Sequence, residues 1–338
     1  MLCLGIESTA HTFGCAVVDN KGRILSDARD VYRPPSGSGI HPREASRHHA
    51  ECSSRIVSEA LSSAGIGADA LDIVAFAAGP GLGPCLRVGA VTARALSGFH
   101  NKPLVPVNHA LGHVELGCLL TGAEDPLVLL VSGGHTMILL FSMQRWRVFG
   151  ETLDITIGQL LDQFGRSLGY ASPCGMQIEQ LAFVGEKSNK FLHLPYVVKG
   201  NDVSFSGILT AAKELHASGS PVSDVAFSLQ ETAFAMLAEV VERAVAFTSK
   251  KELLVVGGVA ANKRLATMLE GACAGHGCKV LACPIKFAGD NGAQIAWTGI
   301  QDFAKNQRSV EIRDSGVRQS WRLDRVNVSW RQDRALAR

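Results

Sequence analysis

Two histidines four residues apart, His109 and His113, lie in the segment NHALGHVELG, and a distant acid, Asp290, opens DNGAQIAWTG. On a helix an i, i+4 spacing turns both imidazoles to one face, and a remote carboxylate can complete an open metal site of the His/His/acid kind. Taken singly, such histidines are often just polar neighbours on a half-buried face, and Asp290 is an acid that suits a helix N-terminus. No Glu stands between the histidines, where HExxH peptidases carry their general base, so peptide hydrolysis is disfavoured. Two turns bearing hydroxyls and glycine, in GIESTAHTFG and LLVSGGHT, each sit between apolar strand-like runs. Turns of this composition let backbone N–H groups approach a phosphate.

Other segments carry weaker signals. In GGVAANKRL a strand runs into a helix, so Gly257 and Gly258 could admit an adenine or ribose beside Asn262, or simply relieve crowding at the turn. Asp162, Gly175 and Glu179 fall in LLDQFGRSLGYASPCGMQIEQLA, where carboxylates beside a glycine turn suit ribose hydroxyls but also read as solvated helix acids. GPGLGPCLRVG reads as a structural glycine turn before a helix. There is no GxxxxGK[ST] loop and no Ser/His/Asp or Cys/His arrangement that would supply a covalent nucleophile.

The elements that position these residues come in two matching sets. LCLGIES, FGCAVVD and GRILSDARD predict three strands, followed by the polar loop PPSGSGIHP and a helix over roughly 43–63. A strand at DIVAFAAG, a helix through CLRVGAVTARALSGF, a strand at PLVPV and the histidine helix follow, with Asn108 placed as its N-cap. From residue 127 the order begins again: strands at PLVLLVS, HTMILLF and RWRVFGET, then helices near 156–169 and 174–185. After the loop KGNDVSFSGIL come a helix at about 222–248, a strand ELLVVGG, a helix from Ala261 to about Ala274, a strand KVLACP and a helix at about 291–305. Both halves therefore read as βββαβαβα, an internal duplication with one candidate phosphate turn in each half. The fold class predicted is a duplicated α/β architecture of the actin, sugar-kinase and heat-shock-chaperone ATPase type, with ligands in the cleft between subdomains. Residues 1–125 form the first subdomain and 126–290 the second, with 291–338 packing back on the first.

Length and composition agree with two cores: 338 residues at 46% hydrophobic exceed what one core usually organises. A net charge of +2 does not by itself advertise a nucleic-acid binder, although residues 307–338 hold eight Arg against four acids. Nine cysteines without a CxxC pair read as buried, reduced thiols. The start MLCLGIEST runs straight into a strand, and no apolar stretch reaches the roughly 18 residues of a membrane span, so a cytoplasmic protein without membrane contact is expected.

Together the strings GIESTAHTFG, IHPREASRHH, GPGLGPCLRVG, VNHALGHVELG, LLVSGGHT, KGNDVSFSGIL, SLQETAFA, GGVAANKRL and FAGDNGAQIAWTG resemble the tRNA threonylcarbamoyltransferase family, formerly described as glycoprotein endopeptidases. They occur in family order over residues 4 to 299. The resemblance leans toward the archaeal and eukaryotic branch, the catalytic subunit of the KEOPS complex, in His11-Thr12 and in IHPREASRHH. One position departs: the archaeal-type motif has a metal-ligating Tyr before VSGG, where this chain has Leu130.

The resemblance implies metal ligation by His109, His113 and Asp290. It also implies adenylate contacts from Leu130, Val131, Ser132, Gly133, Gly134, Asp162, Gly175, Glu179 and Asn262. The cofactor implied is one divalent ion, iron ahead of zinc. The reaction implied is transfer of a threonylcarbamoyl group from threonylcarbamoyl-AMP to the exocyclic amine of the adenosine 3′ to a tRNA anticodon, at position 37, with release of AMP. The partners implied are tRNA, a small atypical protein kinase and a small dimerising subunit. Alternatives consistent with the residues alone are a small-molecule kinase of the same fold, a metallopeptidase and a nucleotide-binding chaperone module.

Overall fold

The computed structural model describes residues 1–331 except Asn189. Strands β1 (Leu2–Glu7), β2 (Thr12–Asp19), β3 (Ile24–Val31), β4 (Ile73–Gly79) and β5 (Leu104–Asn108) form one sheet in the order β3-β2-β1-β4-β5. Between them run helices α1 (Pro42–Ser63) and α2 (Gly83–His100), with α3 (His109–Thr121) following β5. The second sheet, ordered β12-β11-β6-β7-β8, takes β6 (Leu127–Val131), β7 (Thr136–Ser142), β8 (Arg145–Glu151), β11 (Glu252–Val256) and β12 (Lys279–Ala282). In both sheets the first strand pairs antiparallel with the second and parallel with the fourth, so β1 matches β6 and the duplication holds in topology.

Side-chain alternation fixes which layer lies on which face. Leu4 and Ile6 of β1, with Val74 and Phe76 of β4, pack against Ile56 of α1 and Ala90 of α2. Their neighbours Cys3, Ala75 and Val105 face the opposite way, onto Ile295, Ala296 and Ile300 of helix α10 (Gly292–Asn306). In β6, Leu127, Leu129 and Val131 join the core built with α7 (Val222–Thr248), whereas Val128 and Leu130 pack on Ala110, Leu111 and Val114 of α3. Helix α3 thus has α10 on one side and the second sheet on the other, and every residue from His109 to Cys118 is buried. That is why its sequence shows no polar stripe.

The second half is richer than the expected pattern. Helices α4 (Ile157–Ser167) and α5 (Gly175–Glu186) appear near the expected positions, and α8 (Lys263–Ala274) follows β11. The segment read as a plain loop holds a two-residue hairpin, β9 (Val198–Lys199) with β10 (Asp202–Val203), and runs into a helix, α6 (Ser206–Ala217), that the sequence reading lacked. Ile208, Leu209 and Ala212 carry its buried face at helical spacing, but the glycine and serines at its start mask the pattern. A short helix, α9 (Ile285–Ala288), precedes Asp290.

After α10 the chain runs first along the first half, where Val310 N bonds Leu104 O and Arg318 N bonds Ala78 O. It then crosses to the second half, where Leu323, Val326 and Val328 pack with Phe141 and Trp146. The tail therefore engages both halves; six of the eight arginines of 307–338 lie among the described residues, and 332–338 lie outside them. All nine cysteines are free and buried. Among the described residues no helix is long and apolar enough to cross a membrane.

Candidate metal centre and nucleotide cleft

Helix α3 begins directly at the end of β5. Asn108 caps it, its Oδ1 accepting from Leu111 N at 3.1 Å, as the sequence predicts. The cap fixes the first turn, so His109 and His113 project together, their rings edge to face with centroids 4.8 Å apart. Asp290 arrives from the residue before Asn291, which caps α10 by accepting from Gln294 N at 3.0 Å. Asp290 Oδ1 lies 3.3 Å from His113 Nε2 and 3.6 Å from His109 Nε2. One ligand atom from each of the three residues can be chosen so that all lie within 4.8 Å of one another.

Several residues that the sequence reading passed over hold this cluster. Glu7, fully buried at the end of β1, sits behind His109, with its Oε2 2.8 Å from Nδ1. In the neutral ring, a proton on Nδ1 held by Glu7 would leave the Nε2 lone pair toward Asp290, the arrangement in which an outer carboxylate orients a ligating histidine. Thr9 braces Glu7, donating from Oγ1 to Oε1 at 2.5 Å and from its backbone N at 2.7 Å, and Gln294 Nε2 approaches His109 Nδ1 at 3.1 Å. Arg29 of β3 donates to Asp290 O at 3.3 Å and to Lys286 O at 2.6 Å, which ties down the loop that delivers the carboxylate. His135 stacks on His109, centroids 6.3 Å apart, with a buried Nδ1 that has no hydrogen-bond partner. The motif SGGHT contained this histidine, but only its position beside His109 marks it.

The electrostatics follow from this crowding. Burial alone would drive His109 neutral, yet the charges of Glu7 and Asp290 outweigh it and push the imidazolium up to about 9. Burial lowers His113. Burial, then the neighbouring His109 and His113, bring His135 down to about 3. Burial opposes ionisation of Asp290, but His109 and the hydrogen bond from His113 hold its carboxyl well below the usual range. Two nitrogens and one ionised carboxylate suit a divalent first-row ion, and the orphaned His135 nitrogen leaves a polar group facing the same space.

Neither of the two nearby glutamates, among the described residues, stands free as a base for peptide hydrolysis. Glu115, two residues past His113, accepts instead from Trp146 Nε1 at 3.0 Å and Trp330 Nε1 at 3.1 Å. Glu7 is close to His109 but lies behind it and is wholly buried.

The second turn faces the cleft differently. Ser132 Oγ accepts from Gly134 N at 3.2 Å and from His135 N at 3.0 Å, so two of the turn's amides are already committed. Gly133 and Gly134 are exposed, and nothing stands within 4 Å of where a Cβ would be on either. Leu130 and Val131 are fully buried. Leu130 pairs across to both Met137 and Val256, and the side chains of Val131 and Leu130 pack into the two cores that flank β6.

The adenosine residues expected from the sequence lie on α4, on α5 and at the start of α8, and hydrogen bonds within the chain already engage Asp162, Glu179 and Asn262. Asp162 accepts from Ser172 Oγ and Cys174 N, each at 2.6 Å, and so ties the turn that starts α5. Asn262 caps α8 by accepting from Arg264 N and Leu265 N, and donates to Gln230 Oε1 at 2.9 Å. Glu179 accepts from Lys263 N at 2.9 Å. Gly175 and Gly258 face open space, whereas Gly257, at φ +96°, has a Cβ position 2.3 Å from Val131 O and is a close-packing glycine.

A family profile described as tRNA N6-adenosine threonylcarbamoyltransferase matches residues 23–297. The chain is 48% identical to the tRNA N6-adenosine threonylcarbamoyltransferase of Caldivirga maquilingensis, covering 98% of each chain. It is 49% identical to that of Pyrobaculum islandicum, again over 98% of both. The probable bifunctional tRNA threonylcarbamoyladenosine biosynthesis protein of Methanothermobacter thermautotrophicus is 47% identical over 98% of this chain and 61% of its own. Among solved structures, HypF of T. kodakarensis superposes with a TM-score of 0.61 at 14% identity, over 88% of this chain and 47% of that one. Component A of the (R)-2-hydroxyglutaryl-CoA dehydratase of Acidaminococcus fermentans gives 0.56 at 15% identity, over 90% and 99%. At such identities these two matches speak to the fold alone, which is the actin, sugar-kinase and heat-shock-chaperone ATPase type.

Proposed function

The chain belongs to the tRNA N6-adenosine threonylcarbamoyltransferase family, and from that premise we propose that it moves a threonylcarbamoyl group from threonylcarbamoyl-AMP to the adenosine at position 37 of tRNA. It is a transferase that acts on tRNA. The observation that carries the finer reading is the convergence of His109, His113 and Asp290, remote in sequence, within 4.8 Å of one another.

In this reading His109 Nε2, His113 and Asp290 hold one divalent ion, iron ahead of zinc. Such an ion supplies Lewis-acid polarisation of a donor oxygen and offsets charge on the departing phosphate. Glu7 keeps His109 in the tautomer that presents Nε2, and Thr9 keeps Glu7 in place. The exposed Gly133-Gly134 segment lets the donor approach the main chain closely, while Ser132 holds the turn in shape. Gly175, Glu179, Gly258 and Asn262 line the adenosine side, with Asp162 fixing the turn they share. The amine attacks the carbamoyl carbon, a C–N bond forms, the bond from that carbon to the phosphate oxygen breaks, and the departing AMP takes up the amine proton. Orienting two bound reactants supplies much of the rate. No protein nucleophile is required.

The work of the chain is cytoplasmic and shared with partners in this reading. In the bifunctional relative the matched part is 61% of the polypeptide, so a second activity travels with this one there. That supports a separate small atypical kinase and a small dimerising subunit, as in KEOPS, as partners of this chain. The test supplies pre-made threonylcarbamoyl-AMP, tRNA, metal and the partner subunits. AMP should appear in step with modified nucleoside without ATP hydrolysis. Modified nucleoside no higher than a control without the chain, under those conditions, overturns the reading.

A further inference from the structure

The loop over residues 34–41, which joins β3 to α1 in the first half, reaches across to the far end of α4 in the second. Gly37 N donates to Tyr170 O at 3.1 Å. A Cβ on Gly39 would lie 2.9 Å from Arg166 Nη1, so the guanidinium lies against the loop's main chain. Arg166 is half-buried, its Nε is shut off from solvent, and among the described residues that nitrogen has no hydrogen-bond partner. Two other partly buried arginines are ion-paired, Arg264 with Glu231 and Arg331 with Glu115. Asp162, one turn back on the same helix, spends its carboxylate on Ser172 and Cys174. A guanidinium whose Nε is buried without a partner, and that makes no ion pair among the described residues, bears a cost that an anion would offset. The residues flanking the loop add to the field: over 31–43, Arg33 precedes it and Arg43 follows it in the first turn of α1, both exposed, with no acid.

We propose that Arg166 and the 34–41 loop form a seat for a backbone phosphate of the tRNA substrate. This rests on the tRNA-modifying reading above. The start of α4 packs on the Ser132-Gly133 turn, where a Cβ on Gly158 would lie 2.5 Å from Ser132 O. Arg166 is eight residues further along, about 12 Å at the helical rise per residue. That is too far to share a donor phosphate seated at the turn, and within reach of a polynucleotide whose target adenosine enters the cleft. Arginine meets phosphate with two parallel N–H donors, whereas lysine offers a point charge.

The experiment measures tRNA affinity against salt for the wild-type chain with its partners and for Arg166→Gln, Arg166→Lys and Arg43→Gln, with AMP affinity and bound metal measured alongside. Arg166→Gln should weaken tRNA binding about tenfold near 0.1 M salt and flatten the log–log salt slope by about 0.7, one phosphate contact to a single strand. Arg166→Lys should recover the slope but only part of the affinity. Arg43→Gln lies at the exposed start of α1 just after the loop, away from the core, and should shift affinity in the same direction by a smaller factor. AMP affinity and metal content should stay at wild-type values throughout. Unchanged tRNA affinity and slope in Arg166→Gln overturns the proposal, as does lost AMP affinity with tRNA binding intact. Should Arg166→Gln fail to fold, unchanged tRNA binding in both Arg166→Lys and Arg43→Gln overturns it instead. A wild-type assembly with no measurable tRNA affinity overturns this seat and the tRNA reading together, whereas the other outcomes leave that reading standing.

Discussion

The turn after β1 and the turn after β6 occupy equivalent places in the two sheets, yet their polar groups point to different tasks. In the first, Glu7 and Thr9 turn inward on His109, and Ser8 is wholly buried with its hydroxyl unpartnered. In the second, Ser132 ties its own turn while Gly133 and Gly134 stay open to the cleft. One copy of the duplicated hairpin backs the candidate metal cluster, and the other leaves its glycines uncovered. Equivalence of topology therefore says where a turn lies and not what its side chains do.

The sharpest way to break this contrast is at Asp290. Asp290→Ala removes the carboxylate that faces the Nε2 atoms of both histidines and should cut tRNA modification by more than about a hundredfold, with metal content falling in parallel by elemental analysis. Metal at wild-type occupancy in this variant would dissolve the centre as drawn. Glu7→Gln leaves the three ligands in place but weakens the hold on His109, so metal affinity should fall by about 10- to 100-fold while AMP affinity is unaffected. Equal loss of AMP binding would show that the two turns are not separate in role.

A pH series should divide the turns further. In the metal-free chain His109 is protonated below about 9, and an ion needs its neutral Nε2. Metal affinity should therefore climb about tenfold per pH unit up to about 9 and level off above it, with release of one proton on binding. His135, at about 3, is neutral throughout, so AMP affinity should stay flat from pH 7 to 9. The smallest effects belong to the second turn. Ser132→Ala frees two amides but loosens the turn, and each lost bond is worth about 1 kcal/mol, so AMP affinity should fall only a few-fold in calorimetry. Asn262→Ala should lower AMP affinity by a similar factor while also costing about 1 kcal/mol of stability through loss of the α8 cap, visible as a lower Tm.

Much of this was legible in the residues. The i, i+4 histidines, Asn108 as a cap and the repeated strand–turn–strand pattern each depend on local spacing, which a sequence displays directly. Glu7 was not legible, because its partners His109 and Gln294 lie 102 and 287 residues away, and nothing local distinguishes it from any strand-end acid. Asp162, Glu179 and Asn262 show a different limit. A carboxylate or amide that binds a ribose and one that caps a helix use the same atoms, and all three prove to bond backbone N–H groups near helix starts. Leu130 and Val131 were drawn in by the motif that contains them, whereas alternation along β6 sends both into cores.

Helix α10 enters the first half through an unbroken run of buried residues from Asn291 to Ile300, with Gly292 set so close to β2 that a Cβ would lie 2.4 Å from Ala16 N. Amides in such a run exchange with deuterium only when the whole body of the protein opens. The carboxylate one residue upstream of this buried helix is thus expected to be anchored on a far longer clock than the exposed Gly133-Gly134 turn. Stripping the ion with a chelator should leave deuterium uptake along α10 almost unchanged, and reloading should proceed at the pace of ligand deprotonation, with no refolding phase.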